Sequence, residues 1–94
     1  MSTTAVMTTV EQLTKFMDDN KLDFPPGGRN ANLVTLVGYG LYIGATIEDY
    51  KTAMPIGELT EDVAKELERL YTYCKFKNYG KWWENESNRN TYNL

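Results

Sequence analysis

Apolar residues recur every three or four positions in four separate segments of this chain, and that spacing constrains its fold more than any other feature. Side chains spaced in this way share one face of an α-helix. The four sets are Val10, Leu13 and Met17; Leu33, Val34, Leu36, Val37, Leu41 and Tyr42; Ile47, Tyr50 and Met54; and Val63, Leu67, Leu70 and Cys74. No alternating strand pattern is longer than four residues. The sequence therefore predicts an all-α fold, a compact bundle of four to five short helices, with the second set on the central and most buried helix.

Polar residues of the capping type stand in front of each predicted helix. Thr8 and Thr46 are each followed three residues later by an acidic residue, which is the spacing of a capping box. Thr60 is the predicted N-cap of the fourth helix, and Asn30 that of the second. The N-terminal boundary of each helix is therefore predicted.

Glycine and proline mark the other boundaries. The run Pro25-Pro26-Gly27-Gly28 cannot continue a helix and is predicted to be a loop. Gly44 is the predicted residue that ends the second helix, and Gly80 the one that ends the fourth. Gly38 and Gly40 weaken helix propensity by about 1 kcal/mol each relative to alanine, so we expect another helix to cross closely there.

A length of 94 residues and a mass of 10.8 kDa fit one domain, residues 1–94. The ends are polar, and residues 1–7 and 85–94 are predicted to be mobile tails, the second one pinned at most by Tyr92. No targeting segment is recognised, and the longest apolar stretch, residues 33–45, is too short and too interrupted to span a bilayer. The expected location is the cytoplasm, which is that of the host cell if the protein is encoded by a phage.

Composition excludes several function classes. The chain has no histidine and one cysteine, Cys74. Histidine-based catalytic triads, histidine-containing zinc sites, thiolate metal clusters and an intrachain disulfide are therefore excluded. We expect a protein that is not an enzyme and that holds no metal and no cofactor, with Cys74 as a small buried apolar residue.

The charge is unevenly distributed. The net charge of −3 argues against a protein that coats nucleic acid. Residues 44–68, however, carry seven acidic and two basic residues, whereas residues 69–83 carry four basic residues and no acidic one. We call residues 69–83 the basic aromatic segment, because six aromatic residues lie among its cations.

Three interpretations of the basic aromatic segment stay open on the sequence alone: it closes the core, it binds a protein, or it binds single-stranded nucleic acid by stacking and phosphate contacts. Trp82 and Trp83 are neighbours about 100° apart on a helix, so at least one is expected to be partly exposed. The candidate binding residues here are Lys75, Lys77, Tyr79, Lys81, Trp82 and Trp83.

The turn before the second helix also has two interpretations. Gly27, Gly28, Arg29 and Asn30 precede a helix N-terminus, which together with Arg29 would favour a phosphate. The alternative is a glycine turn in which Arg29 pairs with a nearby acid. Arg29 and Asn30 are therefore candidate binding residues as well.

The run from Pro26 to Leu33, the apolar helix that ends at Gly44, and the run Ala45-Thr46-Ile47-Glu48-Asp49 resemble the primase C-terminal helical domain of phage and plasmid replication primases. The resemblance extends over residues 25–83 and includes the run Leu59 to Val63. It implies a role beside DNA replication, in contact with template or a partner protein, and implies no catalytic residue.

Two functions follow as expectations. The first is a non-catalytic binding module of phage or plasmid DNA replication, whose partner is single-stranded DNA or a replication protein. The alternative is a small phage-type inhibitor or adaptor that binds and modulates a host protein.

Overall fold

A computed structural model describes residues 6–94, and within that range the chain forms six helices and no strand. The helices are α1 (Thr9–Asp19), α2 (Asn30–Ile43), α3 (Ile47–Ala53), α4 (Glu61–Phe76), a 3₁₀ helix (Tyr79–Glu84) and α5 (Glu86–Arg89). The radius of gyration of 13.3 Å is near the value of about 13 Å for a folded chain of 100 residues. The prediction of a compact all-α fold is confirmed. None of the described helices has the length and apolar character needed to cross a membrane.

The predicted threonine caps are present. The Thr8 hydroxyl accepts from the Glu11 amide at 3.1 Å while the Glu11 carboxylate accepts from the Thr8 amide at 3.0 Å. The same reciprocal pair joins Thr46 and Asp49, and the Thr60 hydroxyl accepts from the amide three residues on. Both predicted capping boxes are confirmed, which means that local hydrogen bonding fixes the starts of α1, α3 and α4.

The ends of α2 and α4 partly differ from the prediction. Gly44 ends α2 in the left-handed conformation, with φ of 84°, as predicted. Asn30, in contrast, is the first residue of α2, and Arg29 holds the cap position without a side-chain cap; the Asn30 side-chain amide donates to Glu66. Gly80 does not end α4 either: the helix stops at Phe76, and Asn78 reverses the chain with φ of 56°.

The core lies around α2, which packs against α1, α4 and the 3₁₀ helix. The buried apolar side chains are Leu13, Phe16, Met17, Phe24, Leu33, Leu36, Val37, Tyr39, Ala45, Tyr50, Ala53, Met54, Val63, Leu67, Leu70, Cys74 and Trp83. The stripe predicted on α4, including Leu67 and Cys74, faces this core. Tyr42 is an exception to the predicted arc on α2, because its ring is 39% exposed.

The two glycines within α2 lie where other elements approach closely, as predicted. A Cβ on residue 40 would be 2.2 Å from the hydroxyl oxygen of Tyr50, which is on α3. A Cβ on residue 38 would be 3.1 Å from the indole nitrogen of Trp83, which is on the 3₁₀ helix. A side chain on residue 40 would clash with the Tyr50 ring, and one on residue 38 would press tightly on the Trp83 ring.

The chain ends differ from the predicted tails. Residues 1–5 of the predicted tail 1–7 lie outside the described residues. Residues 85–94 fold as α5 and a turn that packs on the core: the Tyr92 ring lies 4.9 Å from the Trp83 ring. Asn20 and Asn93 also exchange hydrogen bonds, at 2.8 and 2.9 Å. A polar composition predicts a tail, and the sequence gives no sign of the partner Asn20, which lies 73 residues before Asn93.

Candidate functional site

The basic aromatic segment folds as the end of α4, a reversal at Asn78 and most of the 3₁₀ helix. Leu70 and Cys74 occupy the buried face of α4. Tyr73 and Phe76 point away from that face and are 46% and 83% exposed, whereas Tyr71 is partly buried against the core. With Tyr42 from α2, the partly or fully exposed rings at this end are Tyr42, Tyr73, Phe76, Tyr79 and Trp82.

The two adjacent tryptophans have separate environments. Trp83 is 3% exposed and its ring contacts the rings of Phe16 and Tyr39 edge-on, with centroids 5.5 and 5.3 Å apart. Trp82 is 45% exposed. A 3₁₀ helix turns about 120° per residue, so neighbouring side chains leave it in different directions. The expectation that at least one tryptophan is partly exposed is confirmed, with Trp82 as the exposed one.

An open groove lies between α2 and the 3₁₀ helix, and we call it the aromatic groove. It has a volume of about 270 Å³. Its lining residues are Val34, Thr35, Gly38, Tyr79, Trp82, Trp83 and Tyr92. The groove therefore offers ring faces and aliphatic surface, and it contains three of the predicted binding residues.

A second groove, the lysine groove, adjoins the other side of the contact between the 3₁₀ helix and α2. It has a volume of about 390 Å³ and is lined by Leu41, Tyr42, Lys75, Asn78, Gly80, Lys81 and Glu84. Gly80 makes this contact close, because a Cβ there would lie 3.1 Å from Leu41 Cβ. Lys81 and Trp82 are adjacent in sequence but line different grooves.

The lysines of the basic aromatic segment are electrostatically distinct from most other cations. Ion pairs join Lys15 to Asp19, Arg29 to Glu66, Lys51 to Glu68, Lys65 to Glu61 and Arg69 to Glu66. Over residues 6–94, no carboxylate lies within 4.0 Å of the ammonium groups of Lys75, Lys77 or Lys81. Their positive charge remains available at the surface.

Two of these lysines lie against aromatic rings instead. The Lys75 ammonium is 5.6 Å from the Tyr71 ring centroid, and the Lys77 ammonium is 5.9 Å from the Tyr73 centroid. At these distances a cation–π attraction holds the ammonium without neutralising it. The hydroxyl of Tyr73 also raises the pKa of Tyr79 by hydrogen bonding, so Tyr79 remains uncharged at neutral pH.

Arg29 and Asn30 do not join this surface. Arg29 Nε donates to Glu66 Oε2 at 2.7 Å, and Asn30 Nδ2 donates to Glu66 Oε1 at 3.2 Å. These bonds, Arg29 first, lower the pKa of Glu66. Glu66 and Lys75 are nine residues apart on α4, which is about 13.5 Å along the axis. The structure therefore contains the ion pair expected from the second interpretation of this turn, in which Arg29 pairs with a nearby acid.

Metal binding and thiol chemistry have little support in the structure. Among residues 6–94, no three Cys, Asp or Glu side chains converge as a set of metal ligands. Burial raises the pKa of the Cys74 thiol, which keeps it protonated and disfavours thiolate reactions. The described arrangement fits binding by rings and cations.

Several residues of the two grooves were absent from the sequence-based candidates. Val34, Thr35 and Gly38 come from the middle of α2, where the sequence indicates only core. Tyr92 comes from the predicted tail, and its aromatic ring in a polar stretch was the one signal that pointed to it.

Comparisons with protein families, with curated proteins and with solved structures give no match to this chain. The resemblance to the primase C-terminal helical domain therefore depends on its sequence motifs alone.

Proposed function

We propose that this protein is a non-catalytic binding module that holds single-stranded nucleic acid on its basic aromatic segment, in the setting of DNA replication that the primase resemblance implies. One observation carries the proposal. Exposed rings alternate there with lysines that lack a carboxylate partner among residues 6–94. Stacking on exposed rings contributes about 1–3 kcal/mol per base, and cations bind the phosphates between the bases.

One groove is suited to a base of the strand and the other to its phosphates. The aromatic groove presents Trp82 and Tyr79 for a base, and the lysine groove presents Lys75 and Lys81 for phosphates. Because the 3₁₀ helix contributes to both grooves, a short length of backbone spans them. A strand bound in this way needs no base pairing and no deep cavity.

The acidic residues restrict where a strand can bind. The stretch 44–68 holds seven of the thirteen acidic residues and repels phosphate. Glu84 also lines the lysine groove and reduces its positive potential. The expected mode is therefore local binding that depends strongly on salt, rather than coating of long strands.

The test is a titration of a fluorescently labelled oligomer of about twenty nucleotides, longer than the roughly 4–16 nucleotides that a small single-strand-binding domain covers. Anisotropy reports binding, and quenching of tryptophan fluorescence reports contact with Trp82. Three to four cationic contacts give a slope of log affinity against log salt of about −2 to −3, at about 0.7 per phosphate contact.

A double variant, Lys77→Gln with Lys81→Gln, should flatten this slope by about 1.4, which is two contacts at that same rate. The matched control is Lys15→Gln with Lys65→Gln, which removes the same charge from two lysines already paired on α1 and α4. The control should leave the slope unchanged. Equal effects of both variants would show that only net charge matters and would contradict the proposed surface.

One observation favours a second candidate, the small inhibitor or adaptor that binds a host protein. Phe76 is 83% exposed at the end of α4, and an exposed ring of this size is a typical protein contact. For this candidate, the oligomer leaves the tryptophan spectrum unchanged at about 50 mM salt. A partner protein captured from host lysate should then shift the spectrum, and Phe76→Ala should weaken its binding.

A further inference from the structure

We propose that this protein associates head to tail with a second copy of itself. A cleft near the start of α4 in one molecule binds the side chains of Phe76 and Lys77, at the end of α4, from the next molecule. Neither Phe76 nor Lys77 lines the aromatic groove or the lysine groove. The inference therefore goes beyond the proposed function and does not rest on it.

The cleft lies between the loop that follows α1 and the turn between α3 and α4, and we call it the acidic cleft. It has a volume of about 340 Å³. Its apolar lining residues are Phe24, Pro25, Pro26, Gly57 and Val63. Ile56 precedes Gly57 in the chain and is fully exposed. The acidic cleft thus offers an apolar wall, with an exposed isoleucine next to it in the chain, that a ring from another molecule can cover.

The carboxylates of the acidic cleft lack a counter-charge within the molecule. Asp23 and Glu58 line the cleft, and over residues 6–94 no cationic group lies within 4.0 Å of either carboxylate. Arg29 also lines it but is paired with Glu66 at 2.7 Å. Within the described part of the chain, Glu58 Oε2 is buried and has no hydrogen-bond partner. Because the terminal torsion of a glutamate turns readily, a cation in the cleft can supply the missing donor.

Phe76 and Lys77 present the complementary groups together. Phe76 is 83% exposed, and the Lys77 ammonium lies 5.9 Å from the centroid of its ring. No carboxylate in the range 6–94 lies within 4.0 Å of that ammonium. An exposed ring beside an unneutralised cation matches an apolar wall that carries unneutralised carboxylates. The same carboxylates repel nucleic acid, so the occupant of the acidic cleft is a cationic part of a protein.

The two surfaces cannot meet within one molecule. Val63, in the cleft wall, and Phe76 are thirteen residues apart on α4, which is about 20 Å along the helix axis. Their contact therefore requires a second copy. Because the two surfaces differ, each pair of molecules keeps a free cleft at one end and a free ring and lysine at the other. Contacts of this kind form chains or rings instead of stopping at a two-fold dimer.

The test is sedimentation equilibrium of the full chain without nucleic acid, from micromolar to millimolar concentration. At about 0.01 M salt, where the Debye length is about 30 Å, the average mass should rise steadily with concentration. At about 1 M salt, where it is about 3 Å, the rise should be smaller. Lys77→Gln should weaken the association about two- to fivefold, the range for an exposed ion pair. A chain that stays monomeric at low salt overturns the inference.

Charge reversal tests the pairing itself. Glu58→Lys and Lys77→Glu should each lose the association, because like charges then face each other. An equal mixture of the two variants should regain it, because every surface then finds a complementary one on the other variant. Both variants keep a net negative charge, so general attraction does not explain the recovery. The matched controls, Asp18→Lys on α1 and Lys65→Glu on α4, should each associate like wild type and gain nothing when mixed.

Two measurements decide the question even if Glu58→Lys folds poorly. Phe76→Ala changes a side chain outside the core, so it should weaken the association while circular dichroism stays unchanged. In ¹H–¹⁵N spectra of the unmodified protein, the amides of Glu58 and Lys77 should shift together as the concentration rises. Shifts confined to the Phe76 end would indicate a symmetric contact between rings and overturn the head-to-tail inference, as would a mixture of folded variants that stays monomeric.

Discussion

Gly40→Ala is the substitution whose effect the structure determines most sharply. In an exposed helix this change would stabilise by about 1 kcal/mol. Here the new methyl carbon would lie 2.2 Å from the Tyr50 hydroxyl oxygen and 2.4 Å from two ring carbons. Tyr50 is fully buried and its hydroxyl donates to the Val37 carbonyl at 2.7 Å, so the ring has no free space to move into. The clash should dominate, with a net loss of about 1–3 kcal/mol or more.

A double-mutant cycle isolates the cause. In Tyr50→Leu the side chain ends before the ring atoms that approach Gly40, so the obstacle is removed at the expense of the Val37 hydrogen bond. In that background Gly40→Ala should become neutral or stabilising, approaching the intrinsic gain of about 1 kcal/mol. Urea denaturation of the four proteins gives each free energy of unfolding and hence the coupling between the two sites.

The sign of the coupling shows whether the Tyr50 ring is what requires glycine at position 40. If Gly40→Ala stabilises the wild-type background, or destabilises both backgrounds equally, the close approach of α3 to α2 is not what requires glycine there. Circular dichroism of each variant checks that the helical content is retained before the energies are compared.

Two further stability predictions follow from particular contacts. Leu67 is fully buried on α4, so Leu67→Ala should lower the free energy of unfolding by about 2–5 kcal/mol in urea denaturation; a loss below about 1 kcal/mol would contradict the buried stripe. Arg29 and Asn30 lower the pKa of Glu66, so the stability from this carboxylate is present above its unfolded pKa of about 4.3 and is lost as the pH falls through its lower folded value. The melting temperature of wild type should therefore exceed that of Glu66→Gln at pH 7, and the difference should shrink below about pH 4.3; a constant difference would argue against the ion pair.

Features that depend on neighbours in sequence could be predicted. The capping boxes at Thr8 and Thr46 join residues three positions apart, and the inward stripe of α4 repeats every three or four residues. Helix geometry also predicts that Trp82 and Trp83 cannot share one environment, although it does not say which of them is buried. These interactions form wherever the helix lies, so the sequence alone determines them.

Features that join distant segments could not be predicted. Asn20 and Asn93 are 73 residues apart in sequence, and nothing in a polar stretch indicates that one will pair with the other. Arg29 meets Glu66 across 37 residues, which turns a candidate phosphate contact into an ion pair. The Asn30 side chain likewise donates to Glu66, a tertiary partner that local rules do not include.

The aromatic groove shows why core and candidate site are difficult to separate in a chain of this size. Gly38 lowers the helix propensity of α2 but allows Trp83 to pack closely against it. Gly80 likewise allows the 3₁₀ helix to approach Leu41 closely. These two approaches fix the path of the 3₁₀ helix, and that path alone turns Trp82 outward and Lys81 toward the lysine groove. The walls of both grooves are therefore built from core contacts, and a side chain added at Gly38 or Gly80 should alter the grooves and the fold together. Phe76 and Lys77 lie outside this packing, so substitutions there can change binding and leave the fold intact.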